Sequence, residues 1–166
     1  MPNFGIEIAS ARTMSNGTVV LAGNLPIRHL ALDSLVSGFG WELKHADGLR
    51  GLERLSGKHN VVATIFSPVL LDLAWEQALQ SVLELAPKAL PILCHGFAEE
   101  IDWEQAAAAG AFHSLLVPFD LQEVRQSLGF VWDAKSRSAI VPIRQRSHQR
   151  RSAHVEQRAR ATGIGA

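Results

Sequence analysis

Cys94 and His95 stand side by side, His29, His45, His59 and His113 are scattered along the chain, and Arg144, Arg146, Arg150 and Arg151 crowd its carboxyl-terminal part. A thiol beside an imidazole could be a nucleophile and its base. Neighbours on a strand point to opposite faces, however, so this pair makes no dyad there. A single cysteine forms no internal disulfide, and with no histidine at ligand spacing it makes no zinc site; it reads as a small buried hydrophobe. The histidines lack short metal-ligand intervals and read as surface or satisfied core residues. No GxGxxG or P-loop lysine signature supports nucleotide binding. What remains is cationic charge, which suits phosphate groups or an acidic surface.

The elements that must position these residues alternate. Thr18 to Ala22 is a short apolar, β-branched run ending at Gly23-Asn24, and Pro26 sits where a first helical turn tolerates proline. The spacing of Ile27, Leu30, Ala31 and Leu35 predicts a helix ending near Gly38 and Gly40, followed by a weaker strand from Trp41 to His45. Asp47 is a candidate cap for a short helix presenting Leu49, Leu52 and Leu55, and Asn60 to Phe66 reads as a central strand buried on both faces. Leu71, Ala74, Trp75, Ala78, Leu79, Val82 and Leu83 predict the clearest helix, with Asp72, Glu76, Gln80 and Glu84 on its other side. Leu90 to His95 reads as a fourth strand, and a helix starting among Glu99, Glu100, Asp102 and Glu104 runs to Gly110. Phe112 to Val117 is a fifth strand, and Asp120 with Glu123 makes a capping-box pattern for a helix burying Leu121, Val124, Leu128 and Val131.

Strict alternation with short connections argues for a parallel sheet covered on both faces, because each parallel crossover needs a helix to return. In such sheets sites form beyond the carboxyl ends of the strands. The positions to weigh are therefore Gly23 and Asn24, Thr64 to Pro68, His95 and Gly96, and Val117 with Pro118.

With these stretches in order, the chain resembles the receiver domain of bacterial two-component response regulators. The resemblance spans residues 18–134 and rests on Val20 to Arg28, Ala46-Asp47-Gly48, Val61 to Pro68, Gly110-Ala111 and Pro118-Phe119-Asp120. It implies an α/β, doubly wound, five-stranded parallel sheet of the flavodoxin-like receiver fold, strand order 2-1-3-4-5. It also implies phosphotransfer to an aspartate, assisted by a divalent cation, a hydroxyl residue and a lysine. Carried over position by position, the acidic pair falls on Gly23 and Asn24 and the phosphoacceptor on Thr64, four residues before Pro68. The hydroxyl position falls near Gly96, the lysine on Val117 and the aromatic switch position on Ser114. The match is thus to a degenerate, pseudo-receiver form. A cluster of Gly, Asn and Thr offers no charge for Mg²⁺, and a threonine cannot form the acyl phosphate that a carboxylate forms. We expect no catalytic residue, no metal, no cofactor and no enzymatic activity; the vacated pocket could still take a small ligand.

Composition bounds the rest. The 166 residues, 47% hydrophobic and 19% charged, suit one globular domain with a modest extension. No run approaches the ~18 apolar residues of a membrane span. No signal segment opens the chain, so we expect a cytoplasmic protein without membrane contact. The predicted organisation is an extension over 1–17, the receiver-like domain over 18–134, and a basic, flexible tail over 135–166. Residues 1–134 hold 8 Lys/Arg against 15 Asp/Glu, net −7, and residues 135–166 hold 8 against 1, net +7.

Two functional classes follow. One is a signal-transduction module working by protein–protein contact without Asp phosphorylation, its partner face formed by Glu100, Trp103, Glu104 and Ser114, with homodimerisation through the last helices at Val131 and Trp132. Trp103 is either an exposed anchor there or an inward-facing core residue. The other is a nucleic-acid-binding accessory using the tail arginines, without sequence specificity since no reading motif accompanies them. The opposite charges equally fit a tail that folds onto its own acidic body.

Overall fold

The computed structural model describes residues 16–23, 25, 29–96 and 99–139. Five strands alternate with five helices among them: β1 (Thr18–Ala22), α1 (His29–Gly38), β2 (Glu42–Ala46), α2 (Leu49–Lys58), β3 (Val61–Phe66), α3 (Trp75–Leu85), β4 (Leu90–His95), α4 (Trp103–Ala108), β5 (His113–Leu116) and α5 (Leu121–Ala139). A 3-10 turn at Val69–Leu71 joins β3 to α3. All strand pairs are parallel, in the order β2-β1-β3-β4-β5. The predicted architecture and strand order are those observed.

The central strands are buried along their whole length because helices cover both faces, which explains why β1 and β3 read as continuous apolar runs rather than alternating ones. Alternation along the strands sorts their residues into two layers. Val19, Leu21, Ala63, Ile65, Ile92, Cys94 and Leu115 meet Leu32 and Val36 of α1 and Val124, Leu128 and Val131 of α5. Val20, Ala22, Phe66 and Leu93 meet Leu52 of α2, Ala78, Leu79 and Val82 of α3 and Ala106 of α4. Each fully buried leucine or phenylalanine contributes about 1.5–3 kcal/mol, so the two layers carry the stability that orders the strand exits. At the sheet's amino-terminal end, Gly17 lets the chain pass the buried Trp41: a Cβ there would lie 2.4 Å from the indole Cδ1.

Several local expectations shift. The core stripe of α1 is Leu32, Leu35 and Val36 rather than the series containing Ala31; Ile27 lies outside the described residues. Trp41 precedes β2 and packs in the core, stacked on Phe39 at 5.3 Å. Asp47 does not cap α2, whose cap position is Gly48 at φ 142 with no side-chain bond. Leu71 sits in the 3-10 turn and Ala74 caps α3 by backbone alone. Glu99 and Glu100 precede α4, which starts only after Asp102 and spans six residues. Leu121 is exposed, because the buried stripe of α5 is Val124, Leu128 and Val131, one apolar residue per turn. α5 continues to Ala139, past residue 134.

Candidate functional site

β1 ends at Ala22, paired with Phe66 of β3, and Gly23 then turns away at φ 99 with its N–H donating to the Ala46 carbonyl at 2.9 Å. That positive φ explains a glycine at the exit, since other side chains are strained there. Asn24 lies outside the described residues. Thr64 pairs with Val20 on one side and Pro91 on the other, two residues short of the β3 terminus. It is fully buried, and its hydroxyl has no hydrogen-bond partner among the described residues. The chain thus places Thr64 within the sheet and Gly23 beyond the carboxyl end of β1.

At the neighbouring exits, Gly96 follows β4 with the Glu99 carboxylate close by: a Cβ on Gly96 would lie 3.8 Å from Oε1. Val117 is half-buried, donates its N–H to the His95 carbonyl at 2.9 Å and precedes a cis Pro118. His95 has its Nδ1 buried and unpartnered among the described residues. Magnesium chemistry calls for carboxylates, phosphate oxygens and an accompanying cation. The described exits supply two carboxylates, Asp47 directly after β2 and Glu99 beside Gly96, and no ammonium. No three His, Cys, Asp or Glu among the described residues stand together as a metal site. Among the described residues, those at Gly23, Thr64, Gly96 and Val117 supply neither the carboxylates nor the ammonium that magnesium-dependent phosphotransfer calls for.

Cys94 is buried between the sheet and the α1–α5 layer. Burial, reinforced by the negative charge of Glu99, pushes its thiol far above the ordinary range, so it stays protonated and unreactive.

A second group of side chains converges at the β5 edge. Asp102 caps α4, its Oδ1 accepting from the Glu104 and Gln105 N–H groups at 2.9 and 3.2 Å. This fixes Trp103 at the first helical position, where it stands edge-on to His113 of β5, ring centroids 6.3 Å apart. His113 in turn meets Phe130 of α5 edge-on at 5.7 Å. Trp103 is 39% and Phe130 44% exposed. Trp103 is therefore an exposed residue and not an inward-facing core one. Burial depresses the imidazole pKa of His113, with Glu123 opposing the shift.

Glu100 and Glu104 are exposed near the same edge, and Ser114 is half-buried in register with Leu93. Strand alternation turns Ser114 to the face opposite His113, so His113 is the residue between the two aromatics. Sequence reasoning read His113 only as a surface or satisfied core histidine and passed over Phe130. The available signal was Phe130 standing off the Val124–Leu128–Val131 stripe, one strand away from a histidine. Val131 cannot serve a dimer contact as expected, since it is fully buried against the sheet; Trp132 is 38% exposed. Arg144, Arg146, Arg150 and Arg151 lie outside the described residues. An open cleft of about 500 Å³ lies at the amino-terminal end of the sheet, beside Trp41, Lys58 and His59, away from the strand exits. None of the helices searched among the described residues is long and apolar enough to cross a membrane.

No protein-family model matches the sequence, and no curated protein does. Solved structures do match. The signal receiver domain of an HD domain-containing protein from Pseudomonas fluorescens Pf-5 superposes with a TM-score of 0.60 at 17% identity, covering 77% of this chain and 95% of that one. A response regulator from Thermotoga maritima gives 0.57 at 15%, covering 71% and 98%. A putative pilus assembly protein from Burkholderia thailandensis E264 gives 0.53 at 20%, covering 71% and 98%. With its all-parallel sheet in the order β2-β1-β3-β4-β5, the chain has the flavodoxin-like fold of response-regulator receiver domains.

Proposed function

We propose that the chain is a pseudo-receiver: a non-enzymatic signalling module of the cytoplasm that acts by protein–protein contact and takes no phosphate on aspartate. The observation that supports this most directly is at the strand exits. Gly23, Gly96 and Val117 bring no acid, hydroxyl or ammonium, while Thr64 is enclosed within the sheet. The receiver fold itself favours a role in signal transduction. The contact surface is the α4–β5–α5 face, where Trp103 and Phe130 remain exposed on either side of His113.

The test is incubation of the purified chain with acetyl phosphate and Mg²⁺, followed by intact-mass measurement. The expected result is an unchanged mass. Stoichiometric uptake of one phosphate would overturn the reading and move the acceptor from Thr64 to a carboxylate, Asp47 and Glu99 being the two described ones at strand exits.

A second reading, binding of nucleic acid through Arg144, Arg146, Arg150 and Arg151, is favoured by the net +7 of residues 135–166. It requires affinity that falls steeply with salt and disappears when residues 140–166 are removed.

A further inference from the structure

The α4–β5–α5 face combines two properties that specify the chemistry of its partner. Between Lys88 and Arg125 the chain contains six carboxylates, Glu99, Glu100, Asp102, Glu104, Asp120 and Glu123, and no lysine or arginine. All but Glu99 are exposed, and among the described residues none of the six is in an ion pair with a cation. Mixed-sign surfaces cancel their own field; over α4, β5 and the first turn of α5 the charges are of one sign and add, the cations Arg125, Lys135 and Arg137 coming further along α5. Set within that field are the exposed surfaces of Trp103 and Phe130, held in place by the edge contacts of His113.

Resting on the protein-contact reading above, we propose that this face docks an arginine-rich segment of a partner protein. A guanidinium is planar and weakly hydrated, so it stacks on an aromatic ring while its fork of N–H donors reaches carboxylates; an ammonium does the second but not the first as well. Trp103, flanked by Glu100 and Glu104, offers both to one side chain. The same charge opposes two of the rival occupants. A symmetric pairing of this face with itself sets carboxylates against carboxylates, because an isologous interface brings identical patches together. A nucleic-acid backbone is repelled for the same reason.

The test uses the full chain and a fluorescein-labelled dodecapeptide of alternating arginine and alanine, with lysine–alanine and glutamate–alanine versions, read by fluorescence anisotropy at low salt. Saturable binding of the arginine peptide is expected, with the lysine version at least five-fold weaker and the glutamate version silent. Trp103→Ala should weaken binding about five- to ten-fold. The surface charge reversal Glu104→Lys, which disturbs no packing, should weaken it comparably, and Trp132→Ala should leave it unchanged. Absence of saturable binding overturns the proposal, as does equal affinity for the arginine and lysine peptides or insensitivity to both Trp103→Ala and Glu104→Lys. Phosphate uptake from acetyl phosphate would sink the pseudo-receiver reading alone. Failure of peptide binding with no phosphate uptake would sink the partner chemistry alone.

Discussion

Thr64 pairs with Val20, while the next pair along the same two strands on that face, Ala22 with Phe66, closes the sheet. The residue standing four before Pro68 is thereby kept inside the apolar layer formed by Phe66, Val20 and Leu93. Its hydroxyl is buried without a partner, and an unpaired buried hydroxyl costs about 1–3 kcal/mol. Thr64→Val, which keeps the shape and removes the hydroxyl, should raise stability by about 1 kcal/mol in urea unfolding. Thr64→Asp should lose about 3 kcal/mol or more, since it buries an unpaired carboxyl. A neutral Thr64→Asp would mean that the position opens to solvent.

Gly17 and Gly57 should respond oppositely to alanine. At Gly17 the new Cβ would stand 2.4 Å from Trp41 Cδ1 and 2.9 Å from Val62 Cγ1, and overpacking of this kind costs about 1–3 kcal/mol. Gly57 lies in α2 with open space around it, so alanine there should stabilise by about 0.5–1 kcal/mol through helix propensity. Thermal unfolding of the two variants beside the parent chain measures both signs.

Because burial raises the Cys94 thiol pKa, the native chain should resist thiol reagents at pH 8 and react once unfolded. The folded state holds its proton where the unfolded chain releases it. The stabilising contribution is therefore complete below the free thiol's pKa and declines by about 1.4 kcal/mol for each pH unit above it, until the folded pKa is reached. Denaturant titrations from pH 7 to 10 should show this slope in the parent and lose it in Cys94→Val. Rapid native labelling would refute the enclosed position.

His113 titrates in the opposite sense. Its folded pKa lies below the ordinary value because burial disfavours the imidazolium. Its contribution to stability is thus present above pH ~6.5 and lost as pH falls toward the folded value. Imidazole NMR shifts should give a midpoint below that of an exposed histidine. Phe130→Ala, by admitting water, should move the midpoint back up. An unmoved midpoint would mean that Phe130 does not shield the ring.

Val131 and Trp132 separate stability from surface. Val131→Ala removes a fully buried side chain and should cost about 1–3 kcal/mol, whereas Trp132→Ala should change stability by less than about 0.5 kcal/mol. If the last helices mediate a homodimer, light scattering should show Trp132→Ala shifting the chain toward monomer; an unchanged mass removes Trp132 from that contact.

By itself the sequence determined the layer architecture, because apolar runs that alternate with amphipathic stretches leave no other arrangement than strands joined by covering helices. It also determined the charge division between the body and the last 32 residues, and the absence of acid and lysine at Gly23 and Val117, which are matters of residue type alone. Only the tertiary structure decided depth and facing. Periodicity in α1 selected Ala31 where packing selected Leu32 and Val36, since a ten-residue helix supports more than one apolar stripe and the sheet chooses between them. Likewise the count from Pro68 reached Thr64 but could not tell a strand exit from a strand interior, which depends on register against β1. His113 between Trp103 and Phe130 joins three elements that are distant in sequence, and such a grouping exists only once β5 has been set at the edge of the sheet with α4 and α5 beside it.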